Sequence, residues 1–235
     1  MLTVLGRFLS CRWTLPFLAS AALGCGTAYG PALYDSGLPA PVPFSSATRG
    51  SFVAVDGSRG DGFNEGERML MARGHYLAVD GDGALRWSYG GFLYGGSYRI
   101  QKRLTSLLRG PREFGGFGAE GDLSFSRRFG AVEIGGGVYA MFGMELGPYA
   151  LLWKMRGALP LLAGAGIYSS LALPAGNDAQ LALQLGMGMP GLVTFNGQIA
   201  LDRIVIWGGF GTSLDGFPRV GNLRRVSAGL AVHLD

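Results

Sequence analysis

From Thr48 onward, apolar and polar residues change places at every second position. Phe117, Ala119, Gly121, Leu123 and Phe125 are apolar or small, and Gly118, Glu120, Asp122, Ser124 and Ser126 stand between them. Leu181, Leu183, Leu185, Met187 and Met189 alternate with Gln180, Ala182, Gln184, Gly186 and Gly188. Val193, Phe195, Gly197, Ile199 and Leu201 alternate with Thr194, Asn196, Gln198, Ala200 and Asp202. Val226, Ala228, Leu230, Val232 and Leu234 do the same against Ser227, Gly229, Ala231, His233 and Asp235. A period of two belongs to a strand, whose successive side chains point to opposite faces.

The same pattern, less cleanly kept, marks strands at 50–56, 68–79, 84–98, 113–126, 129–142, 145–156, 159–172, 179–189, 192–202, 204–213 and 222–234. Most match the ~9–11 residues that cross a bilayer at a tilt. Turn signals separate them at Asp80-Gly81-Asp82-Gly83, Pro190-Gly191 and Asp202-Arg203. Bacterial barrels usually have an even strand number. The pattern therefore predicts an all-β fold, an antiparallel up-and-down β-barrel of about ten strands within a range of eight to twelve.

Two stretches carry other patterns. Ile100, Leu104, Leu107 and Leu108 have helical spacing, with Lys102, Arg103 and Arg109 opposite, and predict a short solvated loop helix. Residues 157–176 are uncharged and long enough for a membrane helix, but Pro160, Pro174 and the glycines favour a strand. The run from Asp56 to Glu65 is rich in oxygen ligands and glycine. Its spacing departs from the EF-hand pattern, so it reads as a flexible loop with no metal.

The N-terminus is organised differently. Arg7 and Arg12 precede an apolar stretch, Trp13–Leu23, that ends in small residues. This is the layout of a secretory signal, and the stretch is too short to span a bilayer as a helix. The expected organisation is a signal helix over 1–24, an extended Pro/Gly/Ser-rich tether over 25–47 and a barrel over 48–235. Ala22-Leu23-Gly24-Cys25 resembles the lipobox of bacterial lipoproteins, which implies lipidation at Cys25. A rival cut after Ala19-Ser20-Ala21 would leave Cys25 a free thiol.

Composition sharpens this picture. Glycine, with 42 residues, is far above the usual ~7%, and charged residues, at 15%, fall below the usual ~25%. Glycine in strands marks bends and close approach, as in Gly90-Gly91, Gly95-Gly96, Gly115-Gly116 and Gly135-Gly136-Gly137. The formal charge of +4 includes Arg7 and Arg12 of the signal, and the remaining bases form no stripe, so no nucleic-acid partner is expected. Trp87, Tyr89, Tyr149, Trp153 and Trp207 are candidates for interfacial girdles or for core aromatics.

No catalytic motif is present: the chain lacks G-x-S-x-G, H-E-x-x-H, a Walker loop and C-x-x-C. Ser227, His233 and Asp235 share a face of the last strand, yet six residues of extended chain separate Ser227 from His233 by ~20 Å. No cofactor is expected. The residues most relevant to function are those whose parity turns them toward a lumen: Arg73, Arg86, Glu120, Asp122, Glu133, Gln180, Gln184, Asn196 and Gln198. Acids and bases together suit an interior braced by ion pairs, and ten strands lie nearer to a filled barrel than to an open channel of ~16.

In its alternating strands and glycine content, the segment 48–235 resembles small bacterial outer-membrane β-barrel proteins. The resemblance implies residence in the outer membrane, with outer-membrane lipid and the outer-membrane assembly machinery as partners. Such barrels commonly end in an aromatic residue, whereas this chain ends Leu234-Asp235. The expected role is structural, or transport or binding of a small solute. The alternatives are a periplasmic lipocalin-like carrier, with the apolar face turned inward to a ligand, and an envelope lipid-modifying enzyme.

Overall fold

In the computed structural model, the described residues are 49–61, 68–82, 84–100, 110–147, 161–176, 179–188, 192–213 and 224–234. They form ten strands: β1 (Gly50–Asp61), β2 (Arg68–Asp82), β3 (Leu85–Ile100), β4 (Gly110–Phe129), β5 (Val132–Leu146), β6 (Leu161–Pro174), β7 (Ala179–Gly188), β8 (Leu192–Leu201), β9 (Ile204–Ser213) and β10 (Arg224–His233). Each strand pairs with its neighbour in sequence, and β1 pairs antiparallel with β10, so the sheet closes into a barrel with no free edge. Closure satisfies every strand's backbone groups, which a bilayer interior requires.

The pairing registers set the shape. The row from Asp56 runs across Arg73, Tyr94 and Gly116 to Glu145. Carried on through the remaining registers, it returns to β1 displaced by about twelve residues, which for ten strands corresponds to a tilt of roughly 40°. Tight turns join the strands at one end, at Gly130-Ala131 and Asp202-Arg203 among others. Gly130 and Asp202 both take positive φ there (62° and 44°), which glycine adopts freely and aspartate tolerates. The chain enters β1 and leaves β10 at this same end. At the other end lie the connecting segments 62–67, 101–109, 147–160, 189–191 and 214–223.

Several sequence expectations change. The candidate strand 145–156 is described only at its start. Glu145 and Leu146 complete β5, and most of the remainder lies outside the described residues. Residues 161–174, within the uncharged stretch, form β6, the strand expected there. The run from Asp56 is not a loop at its start, because β1 continues to Asp61. Ile100 ends β3, and the rest of the proposed loop helix lies outside the described residues, as do the signal, the tether and Cys25. Trp207 is buried inside the barrel, whereas Trp87 and Tyr89 face outward; Tyr149 and Trp153 lie outside the described residues.

Candidate functional site: the braced lumen

The outward face is apolar on every strand. Val53, Leu70, Leu93, Phe117, Val138, Ile167, Leu183, Phe195, Ile206 and Leu230 are all exposed. Outward charges occur only near strand ends. Arg59, Asp61, Arg68, Arg99, Glu113 and Arg224 stand at the end with the long connections; Asp80, Arg127, Asp202 and Arg203 stand at the end with tight turns. Between these rims no described outward position carries a charge. On β2 the rims, Arg68 and Asp80, are twelve residues apart. That is about 40 Å along the strand and about 30 Å along the axis at this tilt.

That height matches the hydrocarbon core of a bilayer, ~30 Å. An apolar outward band with tight turns beside the chain ends is the arrangement of outer-membrane barrels. The geometry places this barrel in an outer membrane, with the tight turns on the periplasmic side. Leu181, Leu183, Leu185, Phe195 and Ile199 point outward, with Leu183 48% exposed. A lipocalin-like carrier needs them inward, so that alternative is set aside.

Inward positions bring the acids and bases together. On β1 and β2, Asp56 and Arg73 are directly opposite. Arg73 donates to Asp56 from Nε at 3.2 Å and from Nη2 at 3.1 Å. The ring of His75 stands between two carboxylates, with Nε2 2.6 Å from Asp56 Oδ2 and Nδ1 2.5 Å from Glu120 Oε1. The tetrad brings two carboxyl groups and two basic side chains together inside the barrel. The side chains of Asp56 and His75 are each only 1% exposed. Left unpaired, the Asp56 carboxylate or the Arg73 guanidinium would cost several kcal/mol in desolvation; pairing offsets this.

The tetrad spans β1 to β4 and crosses the inner face of β3. Glu120 is opposite Gly90, and Phe92 of β3 is opposite both His75 and Gly118. The imidazole and the Phe92 ring lie 6.2 Å apart. Phe92 lies where a Cβ on Gly118 would stand. Tyr139 does the same over Gly166, Tyr168 over Gly137 and Trp207 over Gly229. Inward glycines thus let large rings lie flat along the wall.

Smaller braces complete the interior. Arg86 donates from Nε to Ser124 Oγ at 3.2 Å and lies 4.0 Å from Asp122. Ser126 donates to Glu133 Oε1 at 2.6 Å, and Arg128 lies 3.6 Å from the same carboxylate. Asn196 donates from Nδ2 to Gln184 Oε1 at 3.0 Å across the β7–β8 pair. Tyr94 contacts Glu145 Oε2 at 3.4 Å. Toward the periplasmic end, Phe52, Ala54, Leu77, Val79, Val205, Trp207 and Ala231 form an apolar cluster, and His233 stacks on Phe52 at 4.7 Å.

Of the residues singled out from sequence, Arg73, Arg86, Asp122, Glu133, Gln184, Asn196 and Gln198 are buried inside the barrel. Glu120 is half-buried and joins the tetrad, while Gln180, near the end of β7, is half-buried with no part in these braces. Asp56, His75, Ser126, Tyr94 and Glu145 were not singled out. Asp56 shares the parity of Phe52 and Ala54, and His75 that of Arg73 and Leu77, so strand parity carried the signal once β1 was known to extend past Asp56. Ser227 faces Ser58 on β1, while His233 stacks on Phe52 near the tight-turn end.

No family model matches the chain, and no curated protein matches it. Among solved structures, an outer-membrane channel from Pseudomonas putida F1 is similar at 10% identity and a TM-score of 0.45, over 82% of this chain and 99% of that one. The β-domain of the Bordetella autotransporter BrkA is similar at 10% identity and a TM-score of 0.42, over 79% and 99%. Neisserial surface protein A is similar at 11% identity and a TM-score of 0.34, over 78% and 96%. The barrel and its membrane setting rest on the registers and the outward belt, not on these likenesses.

Proposed function

We propose that this protein is an outer-membrane barrel with a filled, ion-paired lumen, which binds or slowly passes a small polar solute and excludes general diffusion. The observation that carries this reading is the buried tetrad of Asp56, Arg73, His75 and Glu120. A ten-strand barrel has about the width that side chains fill. With these braces in place, a passing solute must exchange hydrogen bonds with them. Both nitrogens of His75 are taken by carboxylates, which leaves neither to act as a base toward a hydroxyl. This argues for a non-enzymatic role.

The test is solute-driven swelling of vesicles containing the barrel, with sugars of graded size. Entry only of the smallest solutes, at rates well below those of a 16-strand porin, fits the proposal. Rapid entry of disaccharides would overturn it. As part of the same proposal, Cys25 carries the lipid anchor and begins the mature chain. The intact mass of membrane-extracted protein tests this, and a mass corresponding to an unmodified thiol would refute it.

A further inference from the structure

The two charged rims of the belt differ. On the tight-turn rim, the exposed Arg49, Asp80, Arg127, Arg128, Asp202 and Arg203 are spread over the ends of β1, β2 and β4 and the β8–β9 turn, with Arg49 donating to the Gly81 carbonyl and Arg128 beside Glu133. On the long-connection rim, Arg224, Arg59, Arg68 and Arg99 are crowded onto β10, β1, β2 and β3, four strands adjacent in the sheet. Strand spacing puts this cluster within about 15 Å. All four face outward and are exposed. The acids beside them are Asp61, opposite Arg68, and Glu113, opposite Ser97 and diagonal to Arg99.

Arg68 and Arg99 are directly opposite each other on β2 and β3. Like charges in this relation repel, because their Cβ atoms are ~5 Å apart. Among the described residues none of the four arginines forms an ion pair. A shared anion between the two guanidiniums would turn this repulsion into attraction. The cluster sits where the apolar belt gives way to headgroups, and guanidinium recognises phosphate through paired hydrogen bonds.

We infer that Arg68 and Arg99, flanked by Arg59 and Arg224, bind the phosphate groups of anionic lipid in the leaflet at the long-connection end. The inference rests on the membrane reading of the outward belt. It gives the barrel a preferred lipid partner on one side of its circumference, over the β10–β3 arc.

The experiment compares the parent with Arg68→Gln/Arg99→Gln and with the single variant Arg99→Gln, each folded in phosphatidylcholine vesicles. Lipid A, a phosphorylated glycolipid, is then titrated in, and the thermal unfolding midpoint is followed. The parent's midpoint rises with lipid A at low salt, and the rise shrinks at high salt. The double variant requires about thirty-fold more lipid A for the same rise, and the single variant falls between. In phosphatidylcholine alone the double variant is at least as stable as the parent. An equal response of parent and double variant, or no response in the parent, overturns the inference while leaving the membrane reading intact. Failure of the parent to insert into any of the vesicles overturns both.

Discussion

Replacing Asp56 with Asn tests whether the lumen is filled or wet. The side chain keeps its shape, but the carboxylate that receives Arg73 at 3.1 and 3.2 Å and His75 at 2.6 Å is gone. Asn offers one acceptor oxygen and an NH₂ that faces donors. In a dry interior, removing one partner of a buried pair costs about 3–5 kcal/mol, because the opposite charge loses its counter-ion away from water. In a water-filled channel the same pair would be screened, and its loss would cost about 1 kcal/mol or less. Urea unfolding of the barrel in phosphatidylcholine vesicles, followed by tryptophan emission, measures the difference. The double variant Asp56→Asn/Arg73→Gln removes both partners, and coupling through direct contact makes it cheaper than the sum of the singles by roughly 1–3 kcal/mol. A single-variant cost below 1 kcal/mol, or strict additivity, would refute the filled lumen.

Three further outcomes follow from the wall and the belt. A Cβ on Gly90 would overlap the backbone carbonyl of Tyr76 and stand 2.9 Å from Leu77 Cα, whereas one on Gly74 meets nothing within 4 Å. Gly90→Ala therefore loses about 1–3 kcal/mol in the same urea assay and Gly74→Ala stays neutral or gains up to about 1 kcal/mol; equal effects would contradict the registers. Val55 lies outward, midway along β1 between Ser51 and the rim residue Arg59, whereas Leu201 ends β8 beside the turn. Val55→Arg costs about 2–4 kcal/mol in vesicles and Leu201→Arg about 0–1 kcal/mol, and the reverse order would displace the belt. Trp207→Ala empties the largest side chain of the periplasmic cluster, lowering stability by about 3–5 kcal/mol, and an unchanged urea midpoint would show that the cluster is not packed.

The strands were legible because their signal is local. The alternation at 181–189, 193–201 and 226–234 needs only the pleat of each segment, and these strands fall within a residue or two of their predicted bounds. The missed features are those where local cues mislead. Asp56-Gly57-Ser58-Arg59-Gly60-Asp61 has the composition of a loop, yet the β2 and β10 ladders on either side carry it as strand. Met144, Glu145 and Leu146 continue the parity of β5, but the following apolar segment suggested a fresh strand there. Trp207 has the character of a girdle residue; only its parity on β9, shared with Val205, turns it inward.

The sequence by itself determined which residues share a face, because side-chain direction along a strand repeats every two residues whatever the strand's partners. It did not determine which face meets lipid, since alternation reads the same with the apolar side in or out. Ring closure decided that, by enclosing Asp56, Arg73 and His75 and leaving Leu183 and Phe195 outside. Tertiary structure also decided which charges meet. His75 is 19 residues from Asp56 and 45 from Glu120. These distances in sequence are bridged by register and stagger, and a slip of one residue in either ladder would turn a member of the tetrad out toward the bilayer.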